Sequence, residues 1–409
     1  MDTLLNKTKE AQKELLKLSN ADRNLILERI NKALIQNSED IINANLIDLE
    51  NAKLNNMPNA MLDRLKLDDK RIKAIADSIL DIRNLPDYIG EVIEELKPKS
   101  TIKIKKIRVP FGVIAVIFES RPNVCVDIAS LCLKTANACV LKGGSDAINT
   151  NKTLVKVMKN AIKDIVNPDV ITLIETTDRK ATDELLTKKE YIDLLIPRGS
   201  KGLIQYVVNN SKVPFIETGA GNCHLYIHED ANIEMAVKIA INAKYQRPSV
   251  CNAIETLLVD EKISEKALPR IYEEFKKLNI EMRGCEKTRK IIDCNLATDD
   301  DYYKEYNDYI IAIKVVKNID EAISHINKYS TKHSEAIITE NKEAYIRFFN
   351  EIDSACVYHN ASTRFSDGGE FGLGAEIGIS TSKLHARGPM GLKEITTFKY
   401  IIEGNGEVR

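Results

Sequence analysis

The chain has no tryptophan, no Cys-x-x-Cys pair, no apolar run long enough to cross a membrane and almost no net charge. The missing tryptophan excludes nothing, but the other absences do. With 59 basic and 60 acidic residues the formal charge is -1, so neither nucleic acid nor an anionic membrane is expected as a partner. No window holds about 18 uninterrupted apolar residues, so no segment reads as a membrane span. The start, "MDTLLNKTKEAQKELLKLS", is polar and helical, and no signal peptide is expected. The 8 cysteines lack the spacing of a small disulfide-stapled domain. Reduced thiols in a cytoplasmic enzyme are therefore expected. There is no internal repeat or low-complexity tract.

What is present is length and apolar content. At 409 residues and 44% hydrophobic, the chain can bury two cores. Residues 7–95 read as helices with apolar residues at helical spacing, and the last stops at Leu85-Pro86. "STIKIKKIRVPFG" alternates apolar and basic residues, which predicts a half-exposed strand. From Gly112 the runs "GVIAVIFE", "ACVLKG", "VITLIE", "IDLLIP" and "VPFIE" are short and nearly all apolar, with helical stretches between them. Strands buried on both faces and alternating with helices predict a parallel, doubly wound sheet. After Gly219 a second series, "CHLYIH", "IETLLV", "SEAIITE" and "DSACVYHN", predicts another α/β unit. The tail from Arg364 is rich in glycine and ends in the strand-like "TTFKYIIEG".

Candidate chemistry lies in the connections. Cys125, Cys132, Cys139, Cys223 and Cys356 fall in predicted helices or strands, where buried thiols are the rule. Cys251, in "KYQRPSVCNAIETLLV", falls in a polar loop and is the candidate nucleophile. His224 and His228 share a strand face, but no further ligands can be located, so no metal site is expected. "LKGGSDA" and "PRGSKG" each follow a strand and precede a helix, where phosphates meet backbone amides. Either could equally be a turn that needs glycine. Glu217 follows "VPFI", at the end of a predicted strand, where an open α/β sheet offers a ligand crevice.

The order of these signals resembles the aldehyde dehydrogenase superfamily: a lysine after the second strand, a Gly-Ser turn after a later one, Glu-x-Gly, then a loop cysteine. Within it, "DRLKLDDKRI", "FESRPNV", "LKGGSDA", "PRGSKGL", "FIETGAGNCH", "QRPSVCNAIETLLV" and "FGLGAEIGISTSKLHARGPMGLKEITTFKY" are similar to the gamma-glutamyl phosphate reductase family. That resemblance covers nearly the whole chain. It implies an α/β, aldehyde-dehydrogenase-like fold. A Rossmann-type nucleotide domain would span residues 1–95 and 109–219, and a catalytic cysteine domain residues 220–390. A small oligomerisation hairpin would use residues 96–108 and 391–409.

The resemblance also implies the chemistry. Cys251 would attack L-glutamate 5-phosphate, phosphate would leave, and hydride reduction of the thioester would give L-glutamate 5-semialdehyde, on the way to proline. Asn252 would give a backbone N–H to the oxyanion. Glu217 matches the base that activates water in aldehyde oxidisers, which an acyl-phosphate reductase does not need. It would instead deprotonate Cys251 or bind the substrate amine. Lys142 matches the lysine at the adenosine ribose. Ser145 stands where NAD-preferring relatives often have glutamate, which favours NADPH. Gly199 and Ser200 match the pyrophosphate turn, and Glu305 the glutamate at the nicotinamide ribose. Glu119 occupies the register of the oxyanion asparagine of aldehyde oxidisers, which leaves that side-chain donor open. Arg121, Arg364 and Arg387 are equal candidates for the substrate carboxylate. The expected partners are L-glutamate 5-phosphate, the upstream glutamate 5-kinase and further copies of this chain. The alternatives are a hydrolytic NAD(P)-dependent aldehyde dehydrogenase, a cysteine acyltransferase without nicotinamide and a non-catalytic scaffold.

Overall fold

A computed structural model describes residues 1–408, apart from the side chains of Asn59 and Ala60. Arg409, the last residue of the expected C-terminal strand segment, lies outside the described residues. The chain forms two compact units. The first holds residues 1–218, 372–378 and 390–409, and the second holds residues 219–371 and 379–389.

The first unit begins with five helices: α1 (Asp2–Leu15), α2 (Asn20–Gln36), α3 (Ser38–Leu54), α4 (Asn59–Leu65) and α5 (Asp69–Asn84). Ser19 and Asp22 form a reciprocal capping box that starts α2, and Ile26, Leu27, Ile30 and Leu34 give it a buried face. Asp68 caps α5, which ends at Leu85 because Pro86 cannot carry a helix on. Strands β1 (Val92–Leu96) and β2 (Lys103–Pro110) follow, then β3 (Val113–Phe118), α6 (Asn123–Lys134) and β4 (Ala138–Lys142). The remaining elements are α7 (Ile148–Ile162), β5 (Ile171–Leu173), α8 (Arg179–Leu185), β6 (Leu194–Arg198) and α9 (Lys201–Asn210).

Strands β3 to β6 form a parallel sheet of order β5-β4-β3-β6. The chain runs outward from β3 through β4 to β5, then returns to the other side of β3. The topological switch point, where open sheets hold ligands, therefore lies between β3 and β6. Every residue of β3 and β4 is buried, as their unbroken apolar runs require.

The structure differs from the sequence reading in two places. "VPFIE" forms no strand. It touches the sheet through a single bridge, Leu195 to Phe215, because Pro214 has no N–H to offer a ladder. The expected two-stranded hairpin is a three-stranded antiparallel sheet of order β1-β2-β16, in which β16 is Thr396–Glu403. The third strand is β1, of which residues 92–95 fall within the expected helical segment.

The second unit contains β7 (Cys223–Ile227), α10 (Ile233–Tyr245), β8 (Ile254–Asp260), α11 (Glu261–Lys277), β9 (Glu281–Gly284) and α12 (Glu286–Arg289). It continues with β10 (Asn295–Leu296), β11 (Ile310–Val316), α13 (Ile319–Tyr329), β12 (Ser334–Ile338), α14 (Lys342–Glu351) and β13 (Cys356–His359). The glycine-rich tail adds two three-residue strands, β14 (Gly378–Ser380) and β15 (Gly388–Met390). The main sheet has seven parallel strands in the order β10-β9-β11-β8-β7-β12-β13. Leu225, Leu257, Ile311 and Ile313 pack in its core against Ala240, Leu268 and Phe275.

Candidate active site

In the second unit, Cys251 lies in the connection between α10 and β8. It is half-buried, whereas Cys125, Cys132, Cys139, Cys223 and Cys356 are buried. Backbone contacts hold this loop. The Cys223 thiol donates to the Cys251 carbonyl at 3.1 Å. Burial raises the Cys223 pKa, so that thiol keeps its proton. Gly221 lies so close to Cys251 that an added methyl group would overlap its carbonyl. Thr363 Oγ1 donates to Asn252 O at 2.6 Å, and Asn252 Nδ2 donates to Ser366 O at 2.8 Å. The Asn252 side chain is thus tied to the chain beyond β13. Glu305 Oε1 accepts the Gly221 N–H at 2.8 Å. All the strands are parallel, so Gly221, Cys251 and Glu305, which precede β7, β8 and β11, gather at one edge of the sheet.

Lys142, Ser145, Gly199 and Ser200 all lie in the first unit, Lys142 as the last residue of β4 and the others in the turns after β4 and β6. Lys142 is buried, and its Nζ donates to Gly143 O at 3.1 Å. Burial lowers its pKa, opposed by the Asp178 carboxylate. Ser145 is exposed and opens a short 3-10 turn. Gly199 and Ser200 are exposed, and the Ser200 hydroxyl caps α9 by accepting Leu203 N–H at 3.4 Å. An exposed amino end of a ten-residue helix suits the pyrophosphate of a dinucleotide.

Glu119 is not placed as an oxyanion donor. Its carboxylate accepts Ser200 N–H at 2.8 Å, and its side chain fills the space a methyl group on Gly199 would need. The next residue, Ser120, has φ of 45° and hydrogen-bonds Asp146. The loop after β3 is thereby tied both to the turn before α7 and to the turn before α9.

The three arginines differ. Arg364, next to the residues that hold Asn252, donates from Nε to Gln246 Oε1 at 3.1 Å. Burial and the nearby Arg247 lower its pKa. Arg387 is committed to Asp353, with Nη1 at 2.8 Å from the carboxylate and Nη2 at 2.9 Å from the carbonyl. Lys383 and Arg387 hold Asp353 down to about 2. Arg121 and Glu217 belong to the first unit, Arg121 after β3 and Glu217 at the end of the bridged segment 213–217. His224 lies 3.0 Å from Glu335, and His228 lies 3.0 Å from Thr339. Among the described residues no cluster of three or more His, Cys, Asp or Glu is arranged to hold a metal.

Sequence reasoning missed Gly221 and Cys223 as supports of the loop, and it missed Lys244 and Glu255. A signal for the last pair was available: two opposite charges inside otherwise apolar stretches, "INAKY" and "AIETLLV".

Residues 1–290 match the model of the aldehyde dehydrogenase family. The gamma-glutamyl phosphate reductase of Clostridium perfringens is 53% identical over 405 residues, covering 98% of each chain. That of Dictyoglomus thermophilum is 53% identical over 414 residues, covering 100% of both. The crystal structure of gamma-glutamyl phosphate reductase from Thermotoga maritima superposes with a TM-score of 0.97 at 48% identity, over 100% of this chain and 99% of that one.

Proposed function

The chain belongs to the aldehyde dehydrogenase family and, within it, to the gamma-glutamyl phosphate reductases, and from that premise we propose how its residues perform the reaction. The enzyme is an oxidoreductase of proline biosynthesis that converts L-glutamate 5-phosphate to L-glutamate 5-semialdehyde and phosphate. The observation that carries the residue assignment is the Cys251 loop, whose backbone is fixed while its thiol stays partly open.

Cys251, as thiolate, attacks C5 of the acyl phosphate. The C–O bond to phosphate breaks, phosphate leaves with the electron pair, and a thioester forms. A thioester carbonyl accepts hydride far more readily than a carboxylate. NADPH, when bound, supplies that hydride. The Asn252 backbone N–H stabilises the oxyanion. When the C–S bond breaks, the aldehyde is released and the thiolate is regenerated. Glu217 deprotonates Cys251 or binds the substrate amine, and Arg364 is favoured over Arg387 for the substrate carboxylate because Arg387 is held by Asp353.

Gly199 and Ser200 hold the pyrophosphate of the cofactor, Lys142 the adenosine ribose and Glu305 the nicotinamide ribose. Ser145 brings no carboxylate to repel a 2′-phosphate, and Lys142 adds positive charge, so NADPH is preferred over NADH. Exposed Val92, Ile93, Phe398, Tyr400, Ile401 and Ile402 on the three-stranded sheet make a homo-oligomer the favoured state. Glutamate 5-kinase supplies the acyl phosphate. No helix among the described residues is long and apolar enough to cross a membrane, and we place the enzyme in the cytoplasm.

Run in reverse, the enzyme oxidises the semialdehyde to the Cys251 thioester, which phosphate then discharges. NADPH formation should rise with added phosphate and saturate. Without phosphate, stopped-flow absorbance should show only a burst of about one NADPH per site. Sustained turnover in phosphate-free buffer with glutamate as product would overturn this reading.

A further inference from the structure

The two elements that flank Cys251 carry a charge pair that the reaction above does not use. Lys244 is the penultimate residue of α10, and Glu255 is the second residue of β8. Both side chains are buried, and Lys244 Nζ meets Glu255 Oε2 at 2.5 Å. The pair closes the base of the loop that holds Cys251. Stability alone does not account for it, because apolar residues of similar size can replace a buried ion pair at no loss.

The other Glu255 oxygen reaches a different segment. Oε1 accepts Asn307 N–H at 3.2 Å. The Tyr306 ring faces Lys244 Nζ at 5.9 Å. Asn307 has φ of 55°, so the chain turns tightly here. Two residues earlier, Glu305 accepts Gly221 N–H, and Gly221 lies against the Cys251 carbonyl. The contacts close a ring that runs from the Cys251 loop through Gly221, Glu305, Asn307, Glu255 and Lys244 back to the loop.

We propose that the buried Lys244–Glu255 pair is a positioning device that locks the Cys251 loop to the Glu305 segment, and so fixes the spacing between the nucleophile and the nicotinamide-ribose glutamate. The proposal rests on Cys251 and Glu305 having the roles given above. Both side chains are buried against each other, so each acts through the segments it holds. Burial drives the Glu255 pKa up to about 7 and the Lys244 pKa down, and each charge opposes the shift in the other.

The test is the double variant Lys244→Met/Glu255→Met, with Glu255→Gln as an isosteric second variant. Four quantities are read: melting temperature, the rate of Cys251 alkylation by iodoacetamide, kcat, and NADPH affinity by fluorescence. The double variant should fold with a melting temperature near that of the parent. Cys251 alkylation and kcat should each change by about tenfold or more, and the Kd for NADPH should rise several-fold. Alkylation and NADPH affinity both within about twofold of the parent would reduce the pair to a purely structural role and overturn the proposal. If the double variant does not fold, Glu255→Gln is judged by the same two readouts. Cys251→Ala separates this proposal from the assignment beneath it. Turnover by that variant would remove the nucleophile itself, whatever the alkylation rates show.

Discussion

The two sheets carry their candidate functional residues at opposite ends. In the first unit Lys142 ends β4, and Gly199 and Ser200 follow β6, at the carboxyl ends of the strands. In the second, Gly221, Cys251 and Glu305 precede β7, β8 and β11, at the amino ends. The turns of the first unit lead into helices: at α7 the Asn149 and Thr150 N–H groups are taken by Asp48, at 3.2 Å and 2.8 Å, so the exposed amino end on offer to a ligand is that of α9. The segments of the second unit run into strands whose registers are already fixed. Cys223, which supports the Cys251 carbonyl, is itself paired in the sheet with Ile254. On the proposed assignments, the cofactor site is built from the exposed Ser145, Gly199 and Ser200 beside a buried Lys142. The proposed nucleophile is backed by buried thiol, hydroxyl and amide groups.

The largest way to break this contrast is Gly221→Ala. The added methyl group would collide with the Cys251 carbonyl, which is backbone and cannot swing aside. Turnover should fall by about 10²-fold or more, while NADPH affinity moves less. The kinetic split between kcat and NADPH binding checks it. Equal loss of both would show that the loop and the cofactor site are not separable in this way.

A second test probes the buried polar interior of the second unit. His325 packs against Tyr302 and Tyr329, with ring centroids 4.9 Å and 4.4 Å away. Burial first, then His224, lowers its pKa from 6.5 to about 2. The folded value lies below the unfolded one, so the unfolded chain gains a proton that the folded chain refuses. The stability His325 contributes is complete above the unfolded pKa and is lost as pH falls toward the folded one, by up to about 1.4 kcal/mol per pH unit. Urea unfolding at several pH values should give a shallower acid slope for His325→Leu than for the parent. Parallel slopes would place that acid sensitivity elsewhere.

The smallest expected effect belongs to the exposed turns. Ser145→Glu should cut the preference for NADPH over NADH by about tenfold, or reverse it, through repulsion of the 2′-phosphate. The ratio of kcat/KM values for the two cofactors is the measurement. An unchanged ratio would show that the "LKGGSDA" turn does not contact the ribose.

Both sheets were legible in the sequence because strands buried on two faces leave unbroken apolar runs, as in β3, β4 and β8. Segment 213–217 has the same look, yet Pro214 keeps it out of the ladder. Strand β1 left no trace of a buried face because all five of its residues are exposed. The Cys251 loop stood out through its polar flanks. Its supports did not, because Gly221 and Ser366 act through backbone groups and close approach, and the Thr363 hydroxyl meets a backbone carbonyl far away in sequence, and those leave no pattern in residue spacing. The role of Glu119 was left open for a similar reason. A register can be aligned from sequence, but whether a carboxylate turns toward an amide such as Ser200 N–H depends on how the loops after β3 and β6 meet.

The central claim is that Cys251 carries the acyl group. Supplying the semialdehyde and NADP without phosphate should leave the enzyme acylated. Mass spectrometry of the digested protein should then find a glutamyl adduct on the peptide containing Cys251, and added phosphate should discharge it. An adduct on another cysteine, or an unmodified Cys251 in an enzyme that has turned over, would contradict the account.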